Sequence, residues 1–212
     1  NNVVSFTSLR NEVQAGFGAS YNRGARQAKT PYLTILNDDV MIDRGYFDGV
    51  MKVMQDKTIG IVGARLLFPA TSTSKNRPAG KIQHVGVALD IRGNAVHPMI
   101  GWSADNPKTK VSRETLAVTG ALLTIRGDIF RALGGFDPIY GLGYWEDLDL
   151  CLKVRQKGGR IWFESSIGGT HNANSTSEKT PNAFGNQFQQ NAITFRARWS
   201  STGLLVFDSW SY

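Results

Sequence analysis

Cysteine is nearly missing from this chain: there is one in 212 residues, Cys151. That excludes an internal disulfide and any cysteine-rich zinc site. Its apolar flanks suit a packed thiol. Long hydrophobic runs are missing too, so no stretch reads as a membrane span, and no signal-peptide pattern is visible. Dense basic blocks are absent despite a formal charge of +7, because Lys and Arg are scattered. Such a charge attracts anions in general, and no nucleic-acid-binding motif accompanies it. Histidine is limited to three residues, and no Ser-His or Cys-His arrangement stands out. With no internal repeat and no linker, residues 1–212 read as one domain of ordinary globular composition, 41% hydrophobic and 19% charged. The chain opens on Asn1 rather than methionine, as after processing or truncation upstream.

What is present begins with Pro31-Tyr32-Leu33-Thr34-Ile35, an apolar, β-branched run that reads as a buried strand. It ends in Leu36-Asn37-Asp38-Asp39-Val40. Ligands of open α/β sheets bind outside the carboxyl ends of strands. Two adjacent acids there are costly unless a cation or a donor-rich ligand neutralises them. Hard oxygen ligands suit Mg²⁺ or Mn²⁺, ions that grip a diphosphate. The competing reading is a plain strand-end turn, which Asn and Asp favour.

Upstream, Val3 to Phe6 suggests a short strand, and Gly16-Phe17-Gly18 through Asn22-Arg23-Gly24 feeds a helix running to about Lys29. A glycine-rich turn at a helix N-terminus suits an anion, and it equally suits close helix packing. Downstream, Ile42 to Lys57 carries Phe47, Val50, Met51 and Met54 at helical spacing, all expected in the core. Ile59 to Phe68, Lys81 to Asp90 and Val118 to Ile125 read as strands, and Arg92-Gly93-Asn94 as a hairpin turn. His84 and His97 are expected to pack or hydrogen-bond rather than ligate. The stretches 69–80 and 102–113 are polar and loop-like. Asp128 is placed to cap a short helix over Ile129 to Leu133.

The second informative segment is Tyr144-Trp145-Glu146-Asp147-Leu148-Asp149-Leu150. A helix is expected from Glu146 to about Lys157, stopped by Gly158-Gly159. Acids in a first turn are favoured by the helix dipole alone. The aromatic pair before them, however, suits stacking on a sugar ring, and the leucines anchor the segment in the core. Beyond a last strand at Arg160 to Phe163, His171 falls in a Gly-rich loop. Asn174-Ser175-Thr176 matches a glycosylation acceptor, and an apolar pattern from Phe184 to Trp199 predicts a C-terminal helix.

Taken in order, these stretches resemble the family 2 glycosyltransferases, in the branch with rhamnosyltransferase-like enzymes of bacterial polysaccharide synthesis. Gly120-Ala121, Gly134-Gly135-Phe136-Asp137 and the closing Arg198-Trp199 fit as well. The resemblance implies an α/β fold of the GT-A type, a Rossmann-like mixed sheet flanked by helices. It implies a nucleotide-sugar donor, a carbohydrate or lipid-linked acceptor, and Mn²⁺ or Mg²⁺. Asn37-Asp38-Asp39 sits where the family has its Asp-x-Asp motif, with Asn37 in place of the first acid. Asp39 and His171 would then hold the metal. Asp38, Asn37, Asn22 and Gly18 would bind the donor. Trp145, Tyr144 and Gly120 would face the acceptor, and Asp147, assisted by Glu146, would be the general base.

Single displacement with inversion is the chemistry that the resemblance implies. It needs a base near the acceptor hydroxyl and a Lewis acid at the departing diphosphate, and no covalent nucleophile. The strand-helix segment that usually opens the family, and holds the nucleotide base, is not found before Asn1. A separate segment supplying it, and a non-catalytic nucleotide- or carbohydrate-binding domain on the same scaffold, are therefore the alternatives. The expected location is cytoplasmic, peripheral to the inner face of a membrane, with no nucleic-acid partner.

Overall fold

The computed structural model describes residues 5–90, 93–172 and 181–205, with side chains from 185 onward in the last range. Val3, Val4, Arg92, Asn174-Ser175-Thr176 and the side chain of Phe184 lie outside the described residues. The strands in chain order are β1 (Tyr32–Leu36), β2 (Val40–Ile42), β3 (Ile59–Leu67), β4 (Ile82–His84), β5 (Ala88–Leu89), β6 (Ala95–Val96), β7 (Arg113–Glu114), β8 (Leu122–Arg126) and β9 (Arg160–His171). The helices are α1 (Phe17–Gln27), α2 (Tyr46–Val53), α3 (Gly127–Ala132), α4 (Glu146–Gln156) and α5 (Pro181–Trp199).

Among the described residues, seven strands make one mixed sheet in the order β1-β8-β3-β9-β2, with β4 on β3 and β7 on β9. β3 and β9 run parallel, and the other pairs are antiparallel. β5 and β6 pair only with each other. Alternation along the strands splits the apolar side chains between two faces. Ile61, Leu123 and Ile125 meet Phe130, Leu148, Leu152 and Trp199 on one face. Val62 and Leu122 meet Tyr46, Val50 and Met54 of α2 on the other. Each such side chain contributes about 1.5–3 kcal/mol on burial, so the sheet is clamped from both sides.

The pairing gathers one edge of the sheet. Leu36 at the end of β1 lies opposite Leu122 at the start of β8. Leu67 at the end of β3 pairs with Thr170 near the end of β9, and His171 pairs with Val40. This is the mixed sheet flanked by helices that the family resemblance implies.

Several expectations change. Ser5 and Phe6 are not in a strand. The helix after Val40 starts only at Tyr46, because Val40 to Ile42 are drawn into the sheet by β9. Phe47 and Met51 are about half exposed, at 51% and 47%, because α2 turns Tyr46, Val50 and Met54 inward instead. The stretch 81–90 splits into β4 and β5 at Gly86, whose φ of 111° breaks the extended run. Residues 118 and 119 are irregular and 120 and 121 form a turn before β8, and Asp128 lies inside α3 rather than capping it. His171 is not in a loop: β9 continues through the glycines to reach it.

Candidate active site

Asp39 occupies the turn between β1 and β2. Its backbone carbonyl accepts from Asn172, which pins the turn to the end of β9 (2.9 Å). His171 Nε2 lies 3.1 Å from Asp39 Oδ1. The state of that imidazole follows from its other nitrogen. Gln83 Nε2 donates to the His171 carbonyl (3.3 Å), so Gln83 Oε1 is the atom facing His171 Nδ1 at 2.7 Å. An oxygen there can only accept, so Nδ1 carries the proton and neutral Nε2 carries the lone pair. Burial lowers the pKa of His171 below the usual imidazole value, against the charge of Asp39, which favours that neutral form.

A lone pair and a carboxylate oxygen thus face each other, and Asp39 Oδ1 is buried without a hydrogen-bond donor. Two acceptors converging with no donor between them fit a divalent cation. Among the described residues no group of three or more His, Cys, Asp or Glu side chains is placed to hold a metal. A cation held here would have Asp39 and His171 as its ligands among the described residues, with oxygens of a bound molecule or water in the other positions.

The second acidic cluster opens α4. The chain enters that helix through Tyr144 and Trp145, both with positive φ (72° and 75°). Such conformations cost about 1–3 kcal/mol each outside glycine and gather at functional sites. Asn191 on α5 holds this turn, donating its amide to the carbonyls of Tyr140, Gly143 and Tyr144 at 2.8–2.9 Å. Asp147 Oδ2 accepts from Gly120 N (2.8 Å) and Oδ1 from Leu148 N (2.9 Å). Burial raises the Asp147 pKa, while those two donors pull it back toward ionisation. Glu146 is buried with Oε2 unpartnered, and its pKa rises through burial first and the charge of Asp147 second. Burial and the neighbouring charge thus favour the neutral form of Glu146, while two backbone donors favour the ionised form of Asp147.

One dipeptide ties the clusters together. Asn37 N donates to Ala121 O (3.0 Å), and the neighbouring Gly120 N holds Asp147. A side chain at Gly120 would meet the Phe17 ring at 2.9 Å and Asp147 Cβ at 3.3 Å, so this approach requires glycine. Asp38 is exposed at the rim, and Tyr21 donates to Leu36 O (2.7 Å) and Asn37 Oδ1 (3.2 Å). Burial, and then the charges of Asp38 and Asp39, push that phenol up to about 12.

Other residues anticipated from sequence have structural work. Asn22 closes a pair of bonds with the Phe136 backbone (2.8 and 2.9 Å). Gly18 lets α1 approach Phe136 closely, since an added Cβ would sit 2.8 Å from that side chain. At the start of α1, Phe17 N donates to Leu142 O (3.0 Å), so that amide faces protein. Trp145 is 4% exposed, packed on Phe188 and Phe195, so it cannot act as a surface platform. The exposed ring is that of Tyr144, at 37%. Gln83 and Asn191 were not foreseen. Neither belongs to any local pattern, and both act on residues at least 47 positions away.

The model of the family described as "Glycosyltransferase like family 2" matches residues 3–202. An uncharacterized protein of Sinorhizobium fredii, y4gI, is 30% identical over 160 residues, 73% of this chain and 17% of that protein. The O-antigen biosynthesis protein RfbC of Myxococcus xanthus is 31% identical over 153 residues, 68% of this chain and 11% of that protein. This chain thus spans under a fifth of the length of either relative. Among solved structures, GalNAc-T7 with UDP, GalNAc and Mn²⁺ superposes with a TM-score of 0.65 at 18% identity, covering 92% of this chain and 36% of that one. That likeness establishes the shared fold.

Proposed function

The chain belongs to the glycosyltransferase-like family 2, and on that premise we propose that it moves a sugar from a nucleotide-diphosphate donor to a hydroxyl acceptor, with inversion and with help from Mn²⁺ or Mg²⁺. The observation that carries this reading is the Gly120-Ala121 link, which brings Asn37 and Asp147 to one place. The acceptor is a glycan or a lipid- or protein-linked hydroxyl. The O-antigen role in the name of the Myxococcus relative supports the polysaccharide side of this reading.

Asp39 and His171 would hold the cation through Oδ1 and Nε2. A divalent ion there supplies Lewis-acid stabilisation of the departing diphosphate. Asn37 and Asp38 border the donor. Asp147 takes the proton of the acceptor hydroxyl as its oxygen bonds to the anomeric carbon and the bond to the diphosphate breaks. Glu146, keeping its own proton, leaves Asp147 the only ionised carboxylate of the pair. Tyr144 offers its exposed ring to the acceptor sugar.

Donor turnover, measured as nucleoside diphosphate released from a panel of UDP- and dTDP-sugars, is expected only with Mn²⁺ or Mg²⁺. Asp39→Ala abolishes the metal effect. Asp147→Asn lowers kcat by about 10²–10⁴-fold, the usual contribution of a general base. Donor binding with no turnover in any condition would replace this reading with a binding-only domain.

A further inference from the structure

Asn37 opens the turn that carries Asp38 and Asp39, and it is firmly held. Its backbone N–H donates to Ala121 O (3.0 Å), and its backbone carbonyl accepts from Val40 N (3.2 Å). Its side-chain oxygen, Oδ1, accepts from the Tyr21 hydroxyl at 3.2 Å. An asparagine offers a backbone donor, a backbone acceptor, a side-chain oxygen and a side-chain NH₂. Three of these four groups are engaged, and the fourth, Nδ2, has no partner among the described residues and is not buried. The carboxamide is planar, so with Oδ1 turned toward α1 the NH₂ group points away from it.

Tyr21 sets that orientation. Its ring packs on Phe17 and Phe136, with centroids 4.6 and 6.2 Å apart. Its hydroxyl also donates to Leu36 O at 2.7 Å, the carbonyl just before Asn37. Held at both ends, the phenol stays against the turn. It keeps its proton at neutral pH, since burial, and then the charges of Asp38 and Asp39, push it up to about 12. One shared proton thus bridges Leu36 O and Asn37 Oδ1, an arrangement of the three-centre kind. The rest of the turn is one-sided. Asp38 is exposed, and Asp39 Oδ1 meets the His171 Nε2 lone pair at 3.1 Å. Those lone pairs suit a cation, whereas an N–H suits an oxygen of whatever the cation carries.

We propose that Tyr21 is a positioning residue that holds the Asn37 carboxamide with its N–H turned outward, as a hydrogen-bond donor to an oxygen of the bound nucleoside diphosphate. The assignment rests on the reading of this turn as the donor side of the site. Asn37 is then no neutral stand-in for an acid. A carboxylate at this position has no proton to offer and would set one lone pair against another.

The first test needs no ligand. In ¹⁵N-edited NOE spectra, the Asn37 NH₂ protons are expected to show no strong contact with the Tyr21 ring. A strong contact would place the nitrogen, not the oxygen, against the phenol and overturns the proposal.

The second test measures dissociation constants by calorimetry, with Mn²⁺ and whichever of UDP and dTDP wild type binds more tightly. Asn37→Ala removes the donor and is expected to weaken binding by about tenfold or more, the equivalent of one hydrogen bond to a charged group. Asn37→Asp, of the same size and shape, is expected to weaken it at least as much. Tyr21→Phe, which keeps the ring packing, is expected to weaken it about three- to tenfold. In the Asn37→Ala background Tyr21→Phe should cost nothing further, because it acts only through Asn37, whereas a merely structural role would add in both backgrounds. Inorganic pyrophosphate with Mn²⁺ locates the oxygen. A matching loss in Asn37→Asp assigns it to the diphosphate, and an unchanged value assigns it to the nucleoside. Equal or tighter nucleotide binding in Asn37→Asp, or additive losses from Tyr21→Phe and Asn37→Ala, overturns the proposal and leaves the role of Asp39 in place. Failure of wild type to bind either nucleotide overturns both.

Discussion

Glu146 and Asp147 are adjacent in sequence, yet their surroundings ask different things of them. Asp147 accepts two backbone amides, whereas Glu146 has an oxygen buried without a partner. The folded-state pKa of Glu146 therefore lies above its unfolded value. Its contribution to stability is complete below the ordinary carboxylate range and is lost as pH rises through the raised value. Glu146→Gln stays neutral throughout and removes that loss. Thermal melts from about pH 5 to about pH 9 should show the variant gaining on the wild type toward the alkaline end, by about 1–3 kcal/mol. Parallel stability profiles would contradict this account. At this scale the sequence points to the residues that carry charge, since Asp39, Asp147 and His171 all stand out along the chain. The residue that sets the protonation of His171 does not, since Gln83 lies 88 positions away.

Among the elements, α4 and α5 act as one unit, joined by Asp149. That carboxylate is fully buried and accepts from Tyr140 (3.0 Å), Arg198 (2.9 Å) and Trp199 (2.9 Å), with Lys153 Nζ 2.9 Å from its other oxygen. Asp149→Ala leaves the Tyr140 and Trp199 donors without their acceptor and leaves Lys153 and Arg198 to Asp137 alone. The expected cost is about 3–5 kcal/mol, the range for breaking a buried ion pair from one side, read as a lower urea midpoint. A change within experimental error would show that the helix docks by apolar contact alone. The strongly patterned elements could be read before the fold was known: β1, β3 and α4 each carry an unbroken apolar run or face. β2 could not, because three residues show no period. The far half of β9 was hidden by Gly168 and Gly169, which read as loop but allow close approach to Arg65 and Met41. α2 reads too long because the helical spacing of Phe47, Val50, Met51 and Met54 marks no start, and Ile42 pairs with Gly169 of β9 instead.

For the molecule as a whole, the candidate site lies at one edge of the sheet, where β1, β3 and β9 end, β8 begins and α4 opens. Topology made that edge, and only the ordered set of motifs hinted at it in the sequence. The central claim is that Asp39 serves donor and metal while Asp147 serves the acceptor hydroxyl, so binding and chemistry separate by residue. The most direct measurement is the thermal shift of wild type, Asp39→Ala and Asp147→Asn with Mn²⁺ and the nucleotide-sugar panel, because a ligand bound to the native state raises its melting temperature. A rise in wild type and in Asp147→Asn, with none in Asp39→Ala, is the predicted result. An equal rise in Asp39→Ala would contradict it.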